Sequence, residues 1–194
     1  MSAEVKGPVK FILTGTSMVG KTAILRRLID HKFVSTVPTI GAEYDTLLMD
    51  IDSSKVRLQI WDTAGQEKYS SISKSYYRNA MGVLLVFDLT NIGSFEKLNI
   101  WINDIRNLCD PNVVVFLVGN KCDLVDQRQI PLDQAENFAK SQGIKYIETS
   151  AFDGTNINEV FMRAANDIIR KMQAPENTNL ISNILPVGKN SKCC

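Results

Sequence analysis

Two periodicities alternate along this chain. Short apolar runs with strand character cover Val9–Thr14, Tyr44–Ile51, Lys55–Trp61, Val83–Asp88, Val113–Val118 and Tyr146–Thr149. Helical spacing of apolar positions covers Lys21–Asp30, Phe95–Leu108, Leu132–Gln142 and Asn156–Met172. In the last of these, Ile157, Val160, Phe161, Ala164, Ala165 and Ile168 form one stripe. Val83–Phe87 and Val113–Val118 are apolar without alternation, as central strands covered on both faces must be. Asp52 to Ser54 reads as a turn between two strand runs, so that pair is antiparallel. Ser94 stands where a cap would start the second helix, and Asp153-Gly154 closes the loop before the last. Strands alternating with helices predict an α/β fold: a six-stranded, mostly parallel sheet with helices on both faces.

The pattern stops at Gln173, which predicts a domain over residues 8–172 and a flexible tail over 173–194. Composition adds little. The 194 residues are 44% hydrophobic and 22% charged, an ordinary globular balance for one domain. A net charge of +1 gives no electrostatic argument for a nucleic-acid partner, and none is expected. No eighteen-residue apolar run exists, and the first residues lack a secretory signal. Cys109, Cys122, Cys193 and Cys194 have neither metal-ligand nor disulfide-framework spacing, which suits a reducing compartment.

The candidate chemistry sits in four loops, each following a strand. Gly15 to Thr22 is a G-x-x-x-x-G-K-[ST] loop between a strand and a helix. Its glycines let successive N–H groups aim at one anion, Lys21 reaches terminal phosphates, and the Thr22 hydroxyl suits Mg²⁺. Gly15, Ser17, Met18, Val19, Gly20, Lys21, Thr22 and Ala23 are the expected nucleotide contacts of this loop.

The second loop is Trp61 to Glu67. Asp62, at a strand end, can face Thr22 across Mg²⁺; Gly65 lets its N–H approach a γ-phosphate; Gln66 can orient an attacking water. The third, Gly119 to Asp123, offers the Asp123 carboxylate to the N1–H and exocyclic amine of guanine. Adenine cannot reproduce that pairing. Asn120 belongs to the same motif, and Lys121 can lay its aliphatic stem over the base. In the fourth, Glu148 to Ala151, Ser150 and Ala151 follow a strand, and the Ala151 N–H suits guanine O6.

Together these loops resemble the small GTPases of the Ras superfamily, and more narrowly the Rab family. The resemblance covers residues 8 to about 172 and the last two residues, and includes Ile40–Tyr44, Arg57–Tyr69, Ser73–Ala80 and Val83–Thr90. It implies a small G-domain that binds GTP or GDP with Mg²⁺, hydrolyses GTP with Gln66 in the catalytic role, and acts as a monomer. Thr22, Thr39 and Asp62 are the implied metal residues, and Thr39 and Gly65 the two γ-phosphate sensors. Phe33 matches an aromatic that packs on the guanine edge. Ile40, Gly41, Tyr44, Trp61 and Tyr76 match the surface that effectors read. No built-in arginine finger is found in the matching motifs, so a GTPase-activating protein is implied, with a guanine nucleotide exchange factor and a prenyl-masking chaperone. Cys193-Cys194 looks like a double-prenylation signal, which implies anchoring to the cytoplasmic face of an intracellular membrane and cycling with cytosol.

Three features depart from the family pattern. Phe152 stands where relatives carry lysine after Ser-Ala, which suggests an aromatic ring stacked on guanine. Thr39 follows Thr22 by seventeen residues, one fewer than usual, and Val37 sits near an aromatic position. Two rivals stay open at this level: a nucleotide-locked scaffold without useful hydrolysis, and a general phosphate-loop ATPase or small-molecule kinase. Gln66 speaks against the first and Asp123 against the second.

Overall fold

The computed structural model describes residues 7–34, 39, 42–51, 54–63 and 75–173. Its strands are β1 (Val9–Thr14), β2 (Ala42–Ile51), β3 (Ser54–Thr63), β4 (Gly82–Asp88), β5 (Val114–Asn120) and β6 (Lys145–Thr149). Its helices are α1 (Lys21–Asp30), α2 (Ile92–Glu96), α3 (Leu98–Leu108), α4 (Leu132–Gln142) and α5 (Ile157–Gln173), with a 3₁₀ turn over Val125–Gln127. The strands form one sheet in the order β2-β3-β1-β4-β5-β6. Only the β2–β3 pair is antiparallel, with Ile51 opposite Ser54 across the expected turn.

Alternating strand residues feed two separate cores. Phe11 and Leu13 of β1, Leu58 and Ile60 of β3, and Val86 of β4 pack beneath α1 and α5. On the other face Ile12, Leu85, Phe87 and Leu117 pack against Leu98, Trp101 and Ile105 of α3 and Ala135 of α4. The α5 stripe is buried from Ile157 to Ile168. β4 is buried along its whole length, as its uniform apolar run requires.

The structure corrects one helix. Phe95–Leu108 is not continuous, and its start lies upstream: α2 begins at Ile92 and breaks at Lys97 before α3. Asn91, not Ser94, is the cap, its side chain accepting from the Gly93 N–H. Ser94 is buried instead, accepting from the Asp88 N–H at 3.0 Å and donating to the Asn91 carbonyl at 2.7 Å. An Asn and a Ser three residues apart both read as caps, and only the tertiary position of Asp88 separates them.

β1 runs parallel to β3 on one side and to β4 on the other, so the order in which strands are added to the sheet reverses there. The ligand crevice of such a sheet lies beyond the carboxyl ends of these strands.

Candidate functional site

The loop after β1 is shaped by two positions that demand glycine. Gly15 has φ +133°, and a Cβ there would stand 2.0 Å from the Val86 carbonyl oxygen. Gly20 has φ +99°, and a Cβ would meet Asn120 Nδ2 at 2.3 Å. The chain between them curls back and delivers Lys21 to the first turn of α1. The Lys21 ammonium donates to the Gly15 and Thr16 carbonyls at 2.9 and 3.0 Å. A buried cation inside a ring of backbone groups at a helix N-terminus is a ready anion site.

Thr22, one residue on, donates to Asp62 Oδ2 at 2.6 Å from across the sheet. Thr39 joins them, 2.9 Å from the Thr22 hydroxyl and 3.2 Å from Asp62 Oδ2. The second Asp62 oxygen, Oδ1, is buried with no hydrogen-bond partner. Burial holds the Asp62 carboxyl above the usual carboxylate range; hydrogen bonds from Thr22 and Thr39 and the Lys21 charge oppose this without cancelling it. Two hydroxyls and a carboxylate with an unused oxygen form a hard-oxygen donor set that fits Mg²⁺. Among the described residues no cluster of three His, Cys, Asp or Glu offers a different metal site.

The base side is built from β5, β6 and their loops. Asn120 Nδ2 donates to the Val19 carbonyl at 2.9 Å, while its Oδ1 accepts from Thr149 Oγ1 at 3.2 Å and the Ala151 N–H at 3.3 Å. The Ala151 N–H expected at guanine O6 thus points, in this arrangement, to Asn120. Ser150 donates to Asp123 Oδ1 at 2.6 Å and so fixes the carboxylate expected to meet the base. Lys121, in the left-handed region at φ +68°, spans to the Met18 carbonyl at 3.2 Å and to Asp88 Oδ2 at 2.6 Å. Met18, Gly20, Ala23, Phe33, Asn120, Lys121, Asp123, Ala151 and Phe152 line one cavity of about 300 Å³, with Val34 and Leu124.

Phe33 and Phe152, from loops far apart in sequence, meet edge to face at 5.4 Å across this cavity. A larger groove of about 670 Å³ lies elsewhere, between α4, β6 and α5. It is floored by Phe116, flanked by the Lys145–Asp167 ion pair at 2.6 Å, and holds none of the phosphate or base residues. The residues expected around the base line the smaller cavity.

Outside the crevice, the expected aromatic surface is assembled. Tyr44 faces Trp61 across the β2–β3 register and stacks on it at 4.8 Å; Tyr76 lies 5.3 Å from Trp61. The Lys10 ammonium sits 5.0 Å from the Trp61 ring centre.

Ser17 lies in the loop beside Met18; Thr22, Thr39 and Asp62 meet one another, the residues expected around the base share one cavity, and Tyr44, Trp61 and Tyr76 form a separate cluster. Ile40, Gly41, Gly65, Gln66, Cys193 and Cys194 lie outside the described residues. Sequence reasoning missed Asp88 and Arg27. Asp88 ends a central strand at the switch-point edge, the one cue that could have found it. Arg27 gives no cue beyond its place on α1. Cys109 and Cys122 are not reactive candidates: burial pushes the Cys109 thiol up to about 11 and raises that of Cys122 as well.

The model of the Ras family matches residues 10–170. Curated relatives agree with it. The chain is 42% identical over 169 residues to "Ras-related protein Rab-4" of Dictyostelium discoideum, covering 87% of this chain and 82% of that one. It is 41% identical over 168 residues to "Ras-related protein Rab11A" of Lotus japonicus, covering 86% and 74%. "Ras-related protein Rab-8B" of Pongo abelii is 42% identical over 169 residues, covering 87% and 82%.

Proposed function

Because the chain belongs to the Ras family of small GTPases, in its Rab branch, we propose that its GTP hydrolysis runs a magnesium-dependent switch. In this reading the GTP form is anchored to the cytoplasmic face of an intracellular membrane, where it recruits effectors of vesicle traffic. The observation that supports the switch best is the meeting of Thr39 with Thr22 in the first turn of α1 and Asp62 near the end of β3, two hydroxyls converging on one carboxylate.

Mg²⁺ would be held by the Thr22 and Thr39 hydroxyls with Asp62, and when bound it offsets negative charge on the β- and γ-phosphates. The chain's own residues do the rest. Lys21 turns from the Gly15 and Thr16 carbonyls toward phosphate oxygens, and the loop N–H groups cradle them. Asp123, fixed by Ser150, reads guanine, with the Lys121 stem, Phe33 and Phe152 around the ring. On motif grounds Gln66 orients the attacking water, and the N–H groups of Gly65 and Thr39 meet the γ-phosphate. Loss of that phosphate removes both contacts and relaxes both segments.

Nothing in the matching motifs supplies an arginine finger, so intrinsic turnover is slow and an activating protein raises it by about 10³–10⁵. An exchange factor restarts the cycle, and effectors read the surface of Ile40, Gly41, Tyr44, Trp61 and Tyr76. Among the described residues no helix is long and apolar enough to cross a membrane. In this reading, by family resemblance, isoprenoids on Cys193 and Cys194 anchor the protein, and a prenyl-masking chaperone shields them in cytosol. The G-domain works as a monomer.

Single-turnover phosphate release from GTP, with and without Mg²⁺, tests the switch, alongside competition by ATP. Release that needs Mg²⁺ and ignores ATP is expected; release indifferent to the metal would overturn the proposed site. Mass spectrometry of the protein from its native cell should show two isoprenoid additions at the terminal cysteines.

A further inference from the structure

We infer that Arg27 is the latch of the base cavity: its guanidinium fixes both the segment leading to Phe33 and the loop carrying Phe152, and nucleotide release requires that fork to open. The inference rests on the guanine-nucleotide reading above and assigns a positioning residue within the same site.

Arg27 lies inside α1, yet three of its donors leave the helix surface for backbone carbonyls. Nε donates to the Ala151 carbonyl at 2.7 Å, Nη2 to the Phe152 carbonyl, and Nη1 to the His31 carbonyl at 3.1 Å. The first two acceptors lie more than 120 residues away in sequence, and the third is the left-handed residue that ends α1. Phe33 follows His31 by two residues. One rigid, always-charged fork therefore sets the spacing between the two walls, with donors on three nitrogens where an ammonium carries all of its donors on one.

The walls need such a fixture. Neither ring is packed in the core: Phe33 is 46% exposed and Phe152 61% exposed. Their mutual edge contact at 5.4 Å is too small to order two loops by itself. Two large exposed rings flanking a cavity that also holds Asp123 and Lys121 suit a flat heteroaromatic base, one ring at its edge and one over its face. With the fork in place the cavity is preorganised for that base. With it broken, the Ala151–Phe152 backbone and the end of α1 part independently, and the base loses both rings together.

The test uses the full chain loaded with a fluorescent GDP analogue and chased with excess GDP in Mg²⁺. Arg27→Ala should speed release by about ten-fold or more, the factor that follows from losing hydrogen bonds to a charged group. Arg27→Lys, which keeps the charge but not the fork, should still release several-fold faster than wild type. The discriminating arm is a cycle: in a Phe33→Ala/Phe152→Ala background, the same Arg27 substitutions should add less than about two-fold, because contacting groups are not additive. An undiminished effect in that background means Arg27 merely braces α1, which overturns the inference. Wild-type release rates in Arg27→Lys and Arg27→Ala overturn it as well. Should Arg27→Ala fail to fold, the lysine variant carries both arms. A wild-type protein that never retains the labelled GDP sinks the nucleotide reading itself, a result distinct from fast release.

Discussion

Asn120 donates through Nδ2 to the Val19 carbonyl at 2.9 Å, a bond that spans 101 residues of chain and ties the base loop to the phosphate loop. Its other side-chain atom serves Thr149 and Ala151. Both sides of the ligand crevice are thus referenced to one buried amide.

Asn120→Ala removes the side-chain partner of the Val19 carbonyl, the Thr149 hydroxyl and the Ala151 N–H. Each group left unsatisfied costs about 1–3 kcal/mol, which for a domain of this size lowers the melting temperature by roughly 2–12 °C per group. GDP affinity falls in parallel, since the two halves of the cavity lose their common reference. Thermal melts and GDP titration of the same preparation check both; a melt unchanged from wild type would show that the amide bears no strain.

How much of this was legible beforehand varies with the range of the interaction. The six strands and four nucleotide loops follow from local pattern, because apolar runs and glycine-bearing turns act over a few residues. The antiparallel β2–β3 pair followed from the turn signal at Asp52 to Ser54, and the grouping of Tyr44, Trp61 and Tyr76 from the family resemblance. The Asn91 cap, the Asp88–Lys121 ion pair and the Arg27 fork were not legible. The ion pair and the fork join residues far apart in the chain, so only the folded sheet brings them together; the Asn91 cap is local, but Ser94 offered the same signal three residues on.

Gly15 shows how tightly the phosphate loop is built. Alanine there would place a methyl group 2.0 Å from the Val86 oxygen while holding φ at +133°, a region that L side chains rarely adopt. Strain of about 1–3 kcal/mol from the backbone alone, with the overlap added, predicts a loss above about 3 kcal/mol. Gly15→Ala should therefore melt far below wild type in excess GDP, or fail to accumulate in soluble form. A variant that melts within a degree of wild type would refute this account of the loop.

Arg128 clamps Glu148 with a two-pronged contact, at 2.9 and 2.6 Å, and Tyr146 adds a third hydrogen bond at 2.9 Å. Burial pushes the Glu148 carboxyl up, but the Arg128 and Tyr146 hydrogen bonds outweigh it, and the net shift is down from 4.5. A folded-state value below the unfolded one means stability that is present above about 4.5 and lost as pH falls through the lowered value. Glu148→Gln should thus cost about 1–2 kcal/mol at neutral pH and nothing in strong acid. Denaturant melts at several pH values read the difference, and a gap independent of pH would rule the ionic account out.

The carboxylate proposed to read the base yields the sharpest expectation. Guanine presents two donors, N1–H and the exocyclic amine, and Asp123 presents two acceptors held in place by the 2.6 Å bond from Ser150. Asn at this position keeps one acceptor and replaces the other with a donor. Against guanine that donor faces an amine, so one hydrogen bond to charge is lost and a repulsion gained. Xanthine keeps N1–H but carries a carbonyl where guanine has the amine, and the Asn amide matches it in both places. Asp123→Asn should accordingly lose GDP affinity by about 10²-fold or more and prefer xanthosine diphosphate to GDP. Competition titrations with GDP, xanthosine diphosphate and ADP decide it: a variant that still ranks GDP first would mean that Asp123 does not face the Watson–Crick edge of the base.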